Sequence, residues 1–520
     1  MPCPLPSDIN ASTFPPNSPA SHLLTTNDPP NEHQSYTFLD ALARSRADLK
    51  VLDGEIAEAQ KHLLGLQAKR VSLQNFVDEH AALHIRRLPT EILVRVFMLT
   101  LPSNPSPLHP EEAPLVLGQV CRLWRAVSRN TPVLWSTIKL ETIEIGDPEL
   151  RVPFLEWLER SRNCPLTVYY SQDIDDGLEW DVLAGIAARI EDLNIAVHYD
   201  ELARLFSQDG CHSLDALKSL RLDLTHFLGI LEFHEITQID LGTRAPRLAH
   251  ISIEHELTLQ HYILPSIQIT ICDLGVNDTA SFTLFLQEAV NLVDCTITIG
   301  PFNNDAPPRS PVRHTILEKL AIEVIQHPDS NVLGSILPCL DLPSLREFRW
   351  ENHGYYSLNS IHKSQDTPEW PITIFLDFLS RSGCTLSKLW IDSGPTEEDI
   401  LRYLVEVPSV IELTIGPGPI RRCPCELMQR LTLGSRSGKD GKDLVPNLEH
   451  LRICGSWHAC EEMMQAIESR VSAVGSTTNG RRLKRVSMAD LLVRGNALGN
   501  TQERLDKCVR EGLLYEQFQW

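Results

Sequence analysis

From Ile190 onward the chain keeps returning to one short pattern: an apolar residue, two of any kind, a second apolar residue, one more, and a third apolar residue. It reads Ile190, Leu193, Ile195; then Leu217, Leu220, Leu222; then Leu248, Ile251, Ile253. Weaker copies follow at Ile269, Cys272, Leu274 and at Leu292, Cys295, Ile297. The pattern is clear again at Leu317, Leu320, Ile322, at Leu345, Phe348, Trp350, at Leu386, Leu389, Ile391, at Val410, Leu413, Ile415 and at Leu448, Leu451, Ile453. A degenerate copy stands at Leu483, Val486, Met488. The last two apolar positions are two apart, so they point to one face of a short strand. The first turns inward where the strand begins. Proline precedes several copies, as in Ala245-Pro246-Arg247-Leu248 and Leu342-Pro343-Ser344-Leu345. Amphipathic stretches between copies, such as Phe282 to Val290 and Ile372 to Ser382, supply return helices. No unit can bury its own face, so neighbours must stack. The expectation is an α/β solenoid with a parallel sheet on its concave side, filling residues 141–520.

The chain before the repeats divides in three. Residues 1–35 are rich in Pro, Ser, Asn and Thr, and read as a tail without a core. From 36 to 84 proline disappears and a heptad takes over. Leu42, Leu49, Ile56 and Leu63 step by seven, interleaved with Leu52, Ala59, Leu66 and Leu73. This predicts one long helix with a coiled-coil seam, weakened towards its end by Arg70 and His80. It serves either to form a homodimer or to fold back on the next domain. Residues 85–140 carry two short amphipathic helices. Pro89 opens the first, where its missing N–H costs nothing, and Ile92, Leu93, Val96 and Phe97 recur at helical spacing. Leu117, Val120, Cys121 and Trp124 do the same in the second, which Asn130-Thr131-Pro132 ends. The stripes are too apolar for so short a segment to bury alone, and such a module lends a face to a partner.

The ordered set Leu88, Pro89, Glu91, Ile92, Leu93, Phe97, Cys121, Trp124, Arg125, Pro132, Leu134 and Trp135 resembles an F-box. The repeats resemble the leucine-rich repeat arrays attached to many F-box proteins. The resemblance implies the substrate receptor of an SCF-type ubiquitin ligase. Leu88, Pro89, Ile92, Leu93, Val96 and Phe97, with Leu117, Val120, Cys121 and Trp124, would dock a Skp-type adaptor and through it a cullin. The solenoid would hold a protein substrate. The alternative is an adaptor-independent scaffold with a vestigial F-box. The segment Pro102 to Pro114 is a proline-rich insert, longer than the family usually carries there. Trp135 is expected to lock the F-box to the first strand of the solenoid.

Composition narrows the function classes. A net charge of −21 disfavours non-specific binding to nucleic acid or anionic membrane. The N-terminus lacks a signal-peptide pattern and the apolar runs are too short to span a membrane, so a soluble cytoplasmic or nuclear protein is expected. The 13 cysteines are scattered, as reduced core thiols would be. No phosphate loop, nucleophile elbow or HExxH helix occurs, so no catalytic activity and no cofactor are expected. Cys423, Cys425, Cys454, His458 and Cys460 could be considered for zinc, but their spacing is poor and reduced thiols are expected. The basic run Arg481, Arg482, Lys484, Arg485, with Arg421 and Arg422, reads as a solvated strand entry, or as a pocket for an acidic partner segment. Pro301 to Arg313, Asn352 to Glu369 and Gly434 to Asp443 read as loops.

Overall fold

The computed structural model describes residues 28–520 apart from 86–87, 103–108, 142–147, 172–182, 184, 198–201, 203–213, 224–237, 255–257, 304–309, 325–331, 353–369, 392–394, 417–424, 435–442, 454–460, 473–480, 490–497 and 519–520. It divides into two units, Met1–Arg95 and Val96–Trp520.

The first unit is dominated by α1 (Glu32–Ile85). This helix begins before the predicted position, because Asn31 and Gln34 close a reciprocal cap. The Gln34 amide donates to Asn31 Oδ1 (2.8 Å), and the Asn31 amide donates to Gln34 Oε1 (3.0 Å). That cap lies at the edge of the Pro- and Ser-rich tail, whose composition hides it. Along most of α1 the apolar side chains are exposed, among them Leu49, Leu52, Ile56, Leu63, Leu66 and Leu73. The division between the units falls within α2 (Thr90–Leu99).

The second unit continues with α3 (Leu117–Val120), α4 (Arg122–Arg129) and a 3₁₀ turn at Pro132–Trp135. Next come β1 (Thr137–Glu141), α5 (Pro148–Ser161) and β2 (Leu166–Ser171). Twelve strands follow: β3 (Ile190–Ala196), β4 (Ser219–Asp223), β5 (His250–Glu254), β6 (Ile271–Asp278), β7 (Asp294–Asn303), β8 (Lys319–Val324), β9 (Glu347–Asn352), β10 (Lys388–Ile391), β11 (Glu412–Ile415), β12 (His450–Ile453), β13 (Arg485–Ala489) and β14 (Leu514–Phe518). Among the described residues they form one 14-stranded sheet in sequence order, and every pair within it is parallel.

The repeated pattern is the ladder of this sheet. Leu193, Leu220, Ile251, Cys272, Cys295, Leu320, Phe348, Leu389, Leu413, Leu451 and Val486 each lie opposite the next. All three apolar positions of every copy are buried, the most exposed being Trp350 at 6%. The weak copies are as buried as the strong ones, because cysteine packs as a small apolar residue. Cys272 and Cys295 bring their sulfurs to 3.5 Å, and the hydrogen bond to Cys295, with burial, raises the Cys272 thiol well above its ordinary pKa.

The prolines before the strands share one turn. The amide three residues on donates back across the proline: Leu248 to Ala245 (3.1 Å), Leu345 to Leu342, Val410 to Val407 and Leu448 to Val445 (each 3.2 Å). Proline at the second position of such a turn presets its φ. Return helices close the other side. Thr279–Glu288 is capped by Asp278, Ile372–Ser382 ends on Gly383 at φ +57°, and Glu397–Glu406 carries a Thr396–Asp399 capping box.

One expectation needs correction. The segment Pro301 to Arg313 is not all loop, since residues through Asn303 belong to β7 and Val312–Arg313 pairs with Leu340–Asp341. At the C-terminal end Leu514–Phe518 adds the last strand of the sheet.

Candidate functional site

In α2 the Pro89 carbonyl accepts from the Leu93 amide (3.1 Å), so the helix starts immediately after the proline. Helical spacing puts Leu93 and Phe97 on one face, and both have 0% exposure. Ile92 and Val96 share the adjoining face, and both are exposed. Leu88 is half-buried and Pro89 is exposed. The Thr100 hydroxyl donates to Phe97 O (2.7 Å) and ends the helix.

In the second unit, Trp124 of α4 packs its ring 4.8 Å from Phe97 at 59°. The predicted second helix is broken: Cys121 is extended (φ −160°, ψ 172°), which separates the single turn α3 from α4. Gly118 is a poor helix former, and its carbonyl takes Arg125 Nε (2.7 Å) instead of an amide of a continued helix. The break leaves Leu117 buried, Cys121 and Trp124 half-buried, and Val120 and Leu123 exposed. Of the ten residues singled out in the sequence, Leu93, Phe97 and Leu117 therefore face inward, while Pro89, Ile92, Val96 and Val120 are open. In the Pro102 to Pro114 insert, residues 103–108 lie outside the described residues. Its end returns as turns beside α3, where Gln119 Nε2 donates to Pro110 O (2.8 Å).

Trp135 joins this module to the sheet. Its indole N–H donates to Ser128 O of α4 (2.8 Å), and its own carbonyl accepts from Trp157 Nε1 of α5 (3.0 Å). The two indoles meet edge to face at 4.9 Å, and Arg160 lies 4.7 Å over the Trp135 ring. β1 starts two residues later.

A second constellation lies on the other face of the sheet, at the position between the last two apolar residues of each copy. There Arg349, Trp390, Thr414 and Arg452 stand in register on consecutive strands. Arg349 lies 4.5 Å and Arg452 5.1 Å from the Trp390 ring centre. Arg349 also pairs with Glu351 at 2.8 Å and Glu323 at 3.7 Å. The Trp390 indole N–H has no hydrogen-bond partner among the described residues. The apolar positions of the template do not reveal this cluster; the residue between them carries its signal.

The basic run is engaged within the chain. Arg481 and Lys484 both pair with Glu449 (2.9 and 2.7 Å), Arg482 donates to Glu511 O, and Arg485 approaches Glu516 at 3.7 Å. The Lys484 hydrogen bond, then Arg481, holds the Glu449 carboxyl below its ordinary pKa. Arg421 and Arg422 lie outside the described residues. So do Cys423, Cys454, His458 and Cys460 of the zinc candidate, and the side chain of Cys425 is likewise not described. Among the described residues no group of three His, Cys, Asp or Glu could hold a metal, and no helix is long and apolar enough to cross a membrane.

Among curated proteins none matches the chain. One family model does, over the stretch that contains α2, α3, α4 and Trp135, and residues 85–141 are accordingly an F-box-like domain.

Proposed function

We propose that this chain is the substrate receptor of an SCF-type ubiquitin ligase. Its F-box-like domain docks a Skp-type adaptor, which brings the cullin. Pro89, Ile92, Val96 and Val120 meet the adaptor directly, and the half-buried Leu88, Cys121 and Trp124 complete the contact. Phe97 packs against the Trp124 ring from within. The observation that carries this reading is the exposed apolar pair Ile92 and Val96 on a helix whose adjoining face, Leu93 and Phe97, is fully buried. A helix split so cleanly between an inward and an outward apolar face fits partner docking.

The parallel sheet and its return helices fit a leucine-rich-repeat-like solenoid. Its outward row, centred on Arg349, Trp390 and Arg452, is the substrate face. The receptor performs no covalent chemistry and needs no cofactor. It raises the local concentration of a target lysine near the ligase's charged transfer enzyme.

Co-purification with a Skp-type adaptor tests the reading. Wild type is expected to form a stable complex. Val96→Glu/Val120→Glu is expected to weaken it by more than about 30-fold, on the scale of interface hot spots, without shifting Tm. Leu88→Ala/Pro89→Ala/Trp124→Ala should weaken it too. Failure of the wild-type chain to bind a well-folded adaptor sinks the proposal and leaves a repeat scaffold.

A further inference from the structure

The seam of α1 shows which partner would cover it. Leu49, Leu52, Ile56, Leu63, Leu66, Leu73 and Val77 lie exposed along a single 54-residue helix. Taking Leu42, Leu49, Ile56 and Leu63 as the first seam position makes Arg70 and Val77 its continuation. Phe38, Ser45, Leu52, Ala59, Leu66, Leu73 and His80 then occupy the second. Two glycines in the helix, Gly54 and Gly65, fall off this seam.

The polar interruptions decide the orientation. A parallel, in-register pair would stack Arg70 on its own copy inside the seam. It would also set Asp48 beside Asp53 at the flank. An antiparallel pair centred between Ala57 and Glu58 avoids both. In that register Leu42 meets Leu73 of the other copy, Leu49 meets Leu66, Leu52 meets Leu63, Ile56 meets Ala59, and Phe38 meets Val77. The polar seam residues fall on polar partners, Arg70 against Ser45 and His80 against Ser35. At the flanks Asp48 faces Lys69 and Glu55 faces His62. The centre lies within about one residue of the midpoint of Glu32–Ile85, so nearly the whole helix is paired. We propose that α1 pairs antiparallel with α1 of a second copy of this chain, in this register, and that the protein is a homodimer. At 1.5 Å per residue, the two Ile85 positions then lie about 80 Å apart, and the rest of each chain leaves from opposite ends.

Light scattering on the full-length protein at micromolar concentration is expected to give about twice the chain mass of 58.6 kDa. A monomer overturns the proposal. Orientation is read by mixing Leu49→Cys with Leu66→Cys chains, oxidising, and identifying joined peptides by mass spectrometry. The expected link joins position 49 of one chain to position 66 of the other. A link between two copies of position 49 in the single variant, or no 49-to-66 link in mixed dimers, overturns the antiparallel register. A charge swap tests the flank without touching the seam. Asp48→Lys should weaken the dimer on the order of tenfold, and Asp48→Lys/Lys69→Asp should restore it. A double variant no better than the single one counts against the pairing.

Discussion

Arg470 is 1% exposed yet keeps its charge, because its guanidinium donates to three carbonyls: Leu431 (2.6 Å), Leu444 (2.7 Å) and Val445 (3.1 Å). Burial pushes its pKa down to about 10. It ties the return helix Glu461–Val471 to the unit before it. Arg381 does the same for the return helix Ile372–Ser382, to Leu337 and Leu340. Replacing Arg470 by Met takes the guanidinium from three buried carbonyls, of which Val445 keeps the Leu448 amide, and should cost about 3 kcal/mol, read as a lower urea midpoint. Arg470→Lys should recover little, since one ammonium cannot span three carbonyls. Glu449 gives a pH signature. Its carboxyl is depressed in the folded state by Lys484 and then Arg481, so its contribution is present above the unfolded value of about 4.3. It is lost as pH falls through the lower folded value. Stability is therefore expected to drop below about pH 4, and Glu449→Gln should flatten that part of the profile.

Trp135 works between elements, linking α4 to α5 through two hydrogen bonds and an edge-to-face ring contact. Trp135→Ala should cost about 3–5 kcal/mol. Faster amide exchange in both α4 and β1 would confirm that the junction couples them, and loss confined to α4 would refute it. The two helices around this junction were legible only in part. Apolar spacing predicts α2 well, because a helix reports its buried face every third or fourth residue. It predicts α3 and α4 as one helix, because Leu117, Val120, Cys121 and Trp124 keep helical spacing across a backbone break that spacing cannot register. Gly118 was the residue that marked the break. The sheet was far more legible. Three apolar positions per strand are dictated by burial, so even Cys272 and Cys295 keep the pattern. The outward residues answer to no such constraint, which is why the apolar repeat does not reveal Trp390 and its two arginines. Trp390→Ala is expected to leave Tm nearly unchanged while weakening substrate capture.

Among the described residues, each strand of the sheet is paired within it to the sheet strands before and after it in the chain, and all pairs run the same way. Stability in such an array is close to a sum of units and neighbour interfaces. Hydrogen exchange should therefore be slowest near β7 and β8 and fastest at β1 and β14. Uniform protection across all strands would argue instead for a single cooperative block. The proline turns before β5, β9, β11 and β12 add a consequence for how such a protein changes over generations. Each turn restarts its strand at a fixed point, whatever length of chain precedes it. A duplication or deletion that spans one whole unit keeps every later side chain on its own face. An added codon between the last two apolar positions of a strand turns the rest of that strand inside out. Descendants of this gene should thus differ by whole units, and by residues gained or lost between strands, while the spacing within each strand stays fixed.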